Sequence, residues 1–132
     1  SGPLMDRIDI QLNVRNVAPN EIVGLGNRDE EPSRVIARRV KMAREIQLAR
    51  FKGENFYTNA QIPPGKLAKY CTIGEKEQIL LKRFIARQGI SARGYSRILK
   101  ISRTIADLDG KDFISLEHIS KAVQLKLDIN GF

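Results

Sequence analysis

The sequence is poor in the residues that most often do chemistry. It holds one cysteine, one histidine and no tryptophan, and 6% of its residues are aromatic. The single Cys71 excludes a disulfide framework and a multi-cysteine metal site. Cysteine poverty fits a reducing, cytoplasmic setting. No stretch approaches the roughly 20 apolar residues of a membrane span, and the first residues do not read as a signal peptide. Phosphate-loop chemistry is missing too: Pro64-Gly65-Lys66 lies where the pattern would need a glycine at position 60 and Ser or Thr at 67, and the chain has Ala60 and Leu67. There is no Gly-rich dinucleotide turn, no H-E-x-x-H and no G-x-S-x-G. His118 has no Cys, Asp or His at ligand spacing and reads as a surface residue. Taken alone, the chain carries no catalytic constellation and no metal site.

What is present is a soluble, globular composition of 132 residues, 42% hydrophobic and 29% charged, enough for one domain with a modest core. Lys and Arg number 23 against 15 Asp and Glu, a net charge of +8 that favours anionic partners. Ile8, Ile10, Leu12 and Val14 alternate with polar residues, which predicts a half-buried strand. One strand has no independent stability, and no second strand follows, so this one wants a sheet that the chain does not supply. Val17 to Pro32 is a connector broken by Pro19, Gly24, Gly26 and Pro32.

Helices follow. Ser33 to about Lys52 is the longest, with Val35, Met42, Ile46 and Ala49 on one face and Ile36 and Ala43 beside them. Arg34, Arg38, Lys41 and Lys52 lie opposite, while Arg39 and Arg50 project within the apolar sector. The basic face is either a solvated surface or a helix that tracks nucleic-acid phosphates; no interleaved aromatics support base stacking. Pro64 opens a short helix through Tyr70 that packs Leu67 and Ala68. Glu75 to Gln88 is a third helix, with Ile79 or Leu80, Leu81, Phe84 and Ile85 inward and Gly89 as its stop. Ser115 caps a last helix that turns Leu116, Ile119, Ala122 and Val123 inward, and Asp128 to Phe132 reads as a fraying tail. The expected fold is a small all-α bundle preceded by one orphan strand.

Between these last helices lies Gly89-Ile90-Ser91-Ala92-Arg93-Gly94-Tyr95-Ser96-Arg97-Ile98-Leu99. Ser91 caps the helix, whose inner face is Tyr95, Ile98, Leu99, Ser102, Ile105 and Ala106. Arg93 then falls in the first turn, where the macrodipole and free N–H groups already make the field positive. Such an arginine either bonds a nearby carboxylate or reaches a bound phosphate.

Ser1-Gly2-Pro3-Leu4-Met5-Asp6-Arg7-Ile8-Asp9 resembles the S-G-P-L-L-D-R-I-D segment of the magnesium-chelatase-like AAA+ ATPases of the ComM/YifB group. Tyr57 to Ile62 resembles their Y-x-N-A-x-[IM] loop, and Ser91 to Lys100 with Arg103 to Leu108 resembles their S-A-R-x-Y-x-R-I-L-K-x-x-R-T-I-A-D-L block. His118-Ile119 with Ala122-Val123-Gln124 matches their H-I-x-x-A-[IV]-Q pattern. In that family the nucleotide-binding core with its Walker motifs lies N-terminal to this part. The resemblance therefore implies that residues 1–16 end the ATPase core, 17–32 connect, and 33–127 form the C-terminal helical lid.

It further implies ATP and Mg2+ as cofactors of the full-length parent, bound mainly by the missing core, and a homo-oligomeric ring, a hexamer. Arg7 would be an arginine finger acting on a neighbouring subunit's ATP, with a local ion pair to Asp6 or Asp9 as the alternative. Arg93 would be the sensor-2 arginine reaching the γ-phosphate of the subunit's own ATP, with Arg97 a weaker candidate. The ComM-like match implies a DNA motor, a helicase or branch-migration factor, with Arg34, Arg38 and Lys41 as weak nucleic-acid contacts. The alternatives are a magnesium chelatase ATPase subunit and a free-standing helical DNA-binding domain.

Overall fold

The computed structural model describes residues 2–12 and 32–127. Six α-helices run through these residues: α1 (Gly2–Arg7), α2 (Ser33–Arg50), α3 (Leu67–Tyr70), α4 (Glu75–Gln88), α5 (Ala92–Leu108) and α6 (Leu116–Leu127). Two 3-10 turns, Asn59–Gln61 and Pro64–Lys66, lie between α2 and α3. The expected small helical bundle is therefore found. The connector residues 17–31, Val14 of the expected strand, and the tail at 128–132 lie outside the described residues.

Local chemistry sets the ends of these helices. Ser91 caps α5 by accepting the Gly94 N–H at 3.1 Å. Glu75 and Glu77 open α4, where the dipole favours them. Gly89 closes α4 with φ 64, a left-handed conformation that only glycine adopts cheaply, and so lets α5 begin three residues later.

Packing centres on α5 and α6. Ile98, Leu99, Ile101 and Ala106 of α5 are buried against Ile119, Ala122 and Val123 of α6, with Leu81 of α4 and Ile62 completing the core. Phe51, Phe56 and Tyr70 close one end, with ring centroids 4.9 to 6.2 Å apart in tilted and edge-on pairs.

A polar cluster fastens α2 to α5. The carboxylate of Asp107, fully buried, accepts both terminal nitrogens of Arg50 at 2.8 and 2.5 Å. It also accepts the Asn59 amide at 2.8 Å and lies 3.2 Å from the buried Arg103 guanidinium. Asn59 spends its second amide hydrogen on Thr104 at 3.0 Å, accepts from Arg50 at 3.0 Å, and donates its backbone N–H to Gln47 at 3.0 Å. Arg103 donates in turn to the carbonyls of Asp112 and Lys111, at 2.8 and 2.7 Å, which fixes the loop between α5 and α6. Charged groups buried this way hold because most of their hydrogen bonds are filled; among the described residues Arg103 Nε is the buried side-chain polar atom left without a partner.

Several expectations are corrected. Residues 8–12 form no strand: with no neighbouring strand to pair with, their backbone cannot build a ladder. The first residues instead form α1, where proline suits the first turn and Arg7 suits the last. The inner face of α2 is rotated: Ala43 and Gln47 are buried, Met42 is exposed, and the wall they meet is the polar cluster rather than an apolar one. Ala68, Ile79 and Leu116 are exposed, and Leu80 is the half-buried alternative to Ile79. His118 is 3% exposed, not a surface residue.

Asp107→Ala strands two cations, and breaking a buried pair from one side costs about 3–5 kcal/mol. Urea denaturation of the variant should show a loss of that size. A loss below about 1 kcal/mol, the range of an ordinary surface change, would show the cluster to be dispensable.

Candidate functional site

Arg93 occupies the second position of α5, fully outside the packed face. No acid stands in the first turn of this helix, whereas α4 and α6 carry Glu75, Glu77 and Glu117 there. Among the described residues Arg93 makes no ion pair. The carboxylate alternative thus finds no partner there, and the cation adds to the positive end of the helix dipole. A phosphate would meet an exposed guanidinium beside a helix N-terminus. Beside it in the helix Gly94 is buried, and Ile98 and Leu99 pack into the core.

Arg97 lies one turn further on and is engaged. Its guanidinium meets Asp9 at 2.5 Å. The Asp9 carboxylate is therefore held by Arg97, and Arg7, exposed at the end of α1, forms no ion pair with Asp9. Residues 8–11 are pinned further. The Gln11 backbone N–H donates to the Leu125 carbonyl at 2.6 Å, the Gln11 side chain donates to the Lys126 carbonyl at 2.9 Å, and the Lys126 ammonium, only 4% exposed, donates to the Ile8 carbonyl. A groove of about 260 Å³ runs between this segment and α5, lined by Ile10, Ile101, Ile105, Leu108 and Leu125. Lys100 on its rim is pulled below the usual lysine range by burial and then by Arg97.

Arg34, Arg38 and Lys41 are exposed on the first half of α2, with none of them drawn into the core. The structure brings Asp9 and Arg97 together.

Ser115, His118 and Asp109 form a line that has the residue types of a nucleophilic triad. Its geometry is that of a helix cap. The Ser115 N–H donates to His118 Nδ1 at 3.0 Å, and the His118 N–H donates to Ser115 Oγ at 3.3 Å. This is a capping box with histidine in the place of Glu or Gln. A backbone N–H donor makes Nδ1 the acceptor, so Nε2 carries the proton and donates to Asp109 at 2.9 Å. With Nδ1 filled by an amide, the imidazole is no base for the Ser115 hydroxyl. The His118 hydrogen bond, more than any other influence, holds the Asp109 carboxyl below the usual aspartate range. Sequence reading missed this arrangement, although Ser115-x-x-His118 has the capping-box spacing.

Cys71 is buried, and burial pushes its thiol up to about 11 against the opposing pull of Arg103 and Arg50. Among the described residues no three His, Cys, Asp or Glu side chains gather where they could hold a metal ion.

Comparison with known proteins places residues 30–126 in the family described as magnesium chelatase, subunit ChlI, C-terminal. The chain is 34% identical over 123 residues to competence protein ComM of Haemophilus influenzae, an alignment covering 93% of this chain and 23% of that protein. It is 32% identical over 126 residues to YifB of Escherichia coli, covering 96% of this chain and 24% of that protein. A relative from Mycobacterium bovis is 25% identical over the same 96%. The chain thus spans about a quarter of the length of these relatives.

A thiol at about 11 is ionised to roughly 0.1% at pH 8. Native Cys71 should resist iodoacetamide at pH 8 and react promptly once urea opens the core; rapid native labelling would contradict its burial. The depressed Asp109 carboxyl binds fewer protons folded than unfolded. It contributes stability above the ordinary aspartate value of 3.8 that is lost as the pH falls below it. Asp109→Asn should therefore flatten the acid limb of a stability profile below about pH 4, read by circular dichroism.

Proposed function

Because the chain belongs to the magnesium chelatase C-terminal family, we propose that residues 33–127 are the helical lid of a ring-forming, ATP-driven AAA+ ATPase. Residues 1–16 end its nucleotide-binding core, and 17–32 connect the two. The parent works as a hexameric DNA motor in the cytoplasm, a helicase or branch-migration factor. Among the described residues no helix is long and apolar enough to cross a membrane.

The observation that carries this reading is Arg93, an exposed cation with no ion pair among the described residues, in the first turn of a capped helix that packs along its opposite face. An arginine so placed stabilises anionic oxygens bidentately and cannot lose its charge. In the parent, Arg93 senses the γ-phosphate, and Arg7 offsets charge on the nucleotide of the neighbouring subunit. ATP supplies the transferable phosphoryl group. This chain offers an exposed guanidinium to its phosphate end, and Mg2+ would be held by the nucleotide-binding core of the parent. Arg34, Arg38 and Lys41 give α2 a phosphate-facing surface for DNA.

The relative named competence protein ComM favours the DNA motor. The family's description favours a second reading, the ATPase subunit of a magnesium chelatase. DNA-stimulated ATP turnover by the full-length protein supports the motor, and absence of both stimulation and DNA binding counts for the chelatase. Arg93→Ala should lower turnover at least about tenfold with the helical spectrum unchanged. Turnover equal to wild type would remove the sensor role. Mixing Arg7→Ala subunits with Walker-B-deficient subunits should restore partial activity, since the finger acts across the subunit boundary.

A further inference from the structure

The segment that carries Arg7 is docked in an unexpected orientation. Its polar residues Asp9 and Gln11 face the bundle, while Ile10 and Leu12 are 52% and 70% exposed. Apolar contact is limited to Ile10 in the groove against α5, and Leu12 stays open. Polar contacts hold it: Asp9 on Arg97, Gln11 on the end of α6, and Lys126 on the Ile8 carbonyl. Arg7 lies two residues before Asp9, and Arg93 lies one helical turn before Arg97 on the same face of α5.

From this juxtaposition we propose that Asp9 and Arg97 are positioning residues. Their ion pair ties the segment bearing Arg7 to the helix bearing Arg93, so that the two nucleotide-directed arginines are aligned as one unit. The inference rests on the function proposed above, and it reassigns Arg97 from the nucleotide to Asp9. The Asp9–Arg97 pair is partly exposed, with side chains 43% and 29% accessible, and exposed pairs add little to stability. Direction is what it supplies. The 2.5 Å contact gives Asp9 one fixed partner on α5, 88 positions away in sequence. Gln11 and Lys126 keep the segment attached when the pair is broken, so loss of the pair turns the segment without releasing it.

The test is steady-state ATP hydrolysis by the full-length protein and its variants. Asp9→Asn and Arg97→Gln should each lower kcat about tenfold, with KM within about twofold and the thermal midpoint unchanged, because misalignment costs rate rather than binding. The exchanged pair, Asp9→Arg with Arg97→Asp, should recover kcat to within about threefold of wild type. Full activity in both single variants overturns the proposal. So does an exchanged pair no better than the worse single variant. If Arg97→Gln raises KM while Asp9→Asn is silent, Arg97 is itself a phosphate ligand and the link is wrong. Arg93→Ala separates the two levels of the argument: a normal rate there removes the sensor reading, whereas a low rate there with normal Asp9→Asn removes only the link.

Discussion

Asp107 is the constraint on which the bundle depends. A buried carboxylate cannot stay charged unless donors surround it, and here those donors come from three separate stretches of chain. Satisfying one anion therefore fixes the end of α2, the Asn59 turn and the middle of α5 at once. Arg103 extends the same demand to the loop before α6 through two carbonyls. Apolar contacts on α5 and α6 supply the bulk of the burial, but hydrophobicity has no direction, and the network has one. It selects which side of α2 faces inward even though that side is polar.

This division explains two kinds of arginine in a basic chain. Arg50 and Arg103 belong to the fold, and both are paired to the one carboxylate of Asp107. Arg93 belongs to the surface and stands on a helix end whose field opposes it. A cation that costs electrostatic energy and has no partner among the described residues suits a ligand better than it suits the fold. The motif residues divide the same way. Asn59, Arg103, Thr104, Asp107 and His118 fasten elements together, and Arg93 is exposed and forms none of these bonds.

The sequence made the later helices legible because their ends are written locally. Ser91, Ser115 and Gly89 mark starts and a stop through hydrogen bonds within a few residues. The face of α5 followed from its spacing for the same reason. What escaped reading depends on distant partners. Ala43 is legible beside the apolar face, but the inward turn of Gln47 requires Asn59, and only the arginines within the apolar sector, Arg39 and Arg50, hinted at a polar wall. The alternation of Ile8, Ile10 and Leu12 told correctly that one side of the segment is apolar. It could not tell that this chain would grip the other side. His118 escaped because a histidine in a cap satisfies itself with backbone rather than with a cluster that spacing would reveal.

The first ten residues of α2 contain no buried side chain. They extend about 15 Å as a rod, at 1.5 Å per residue. The rod begins at Pro32 without a side-chain cap, and the buried side chains of the helix begin at Ala43 and Gln47, ahead of the clamp where Arg50 meets Asp107. A helix so short has little stability of its own, so its order propagates outward from the clamp and frays inward from Ser33. The bundle thus carries a positively charged arm whose base is set by Ala43, Gln47 and Arg50 together. A change in how that base seats is carried along the helix to its start, where Arg34 and Arg38 stand exposed.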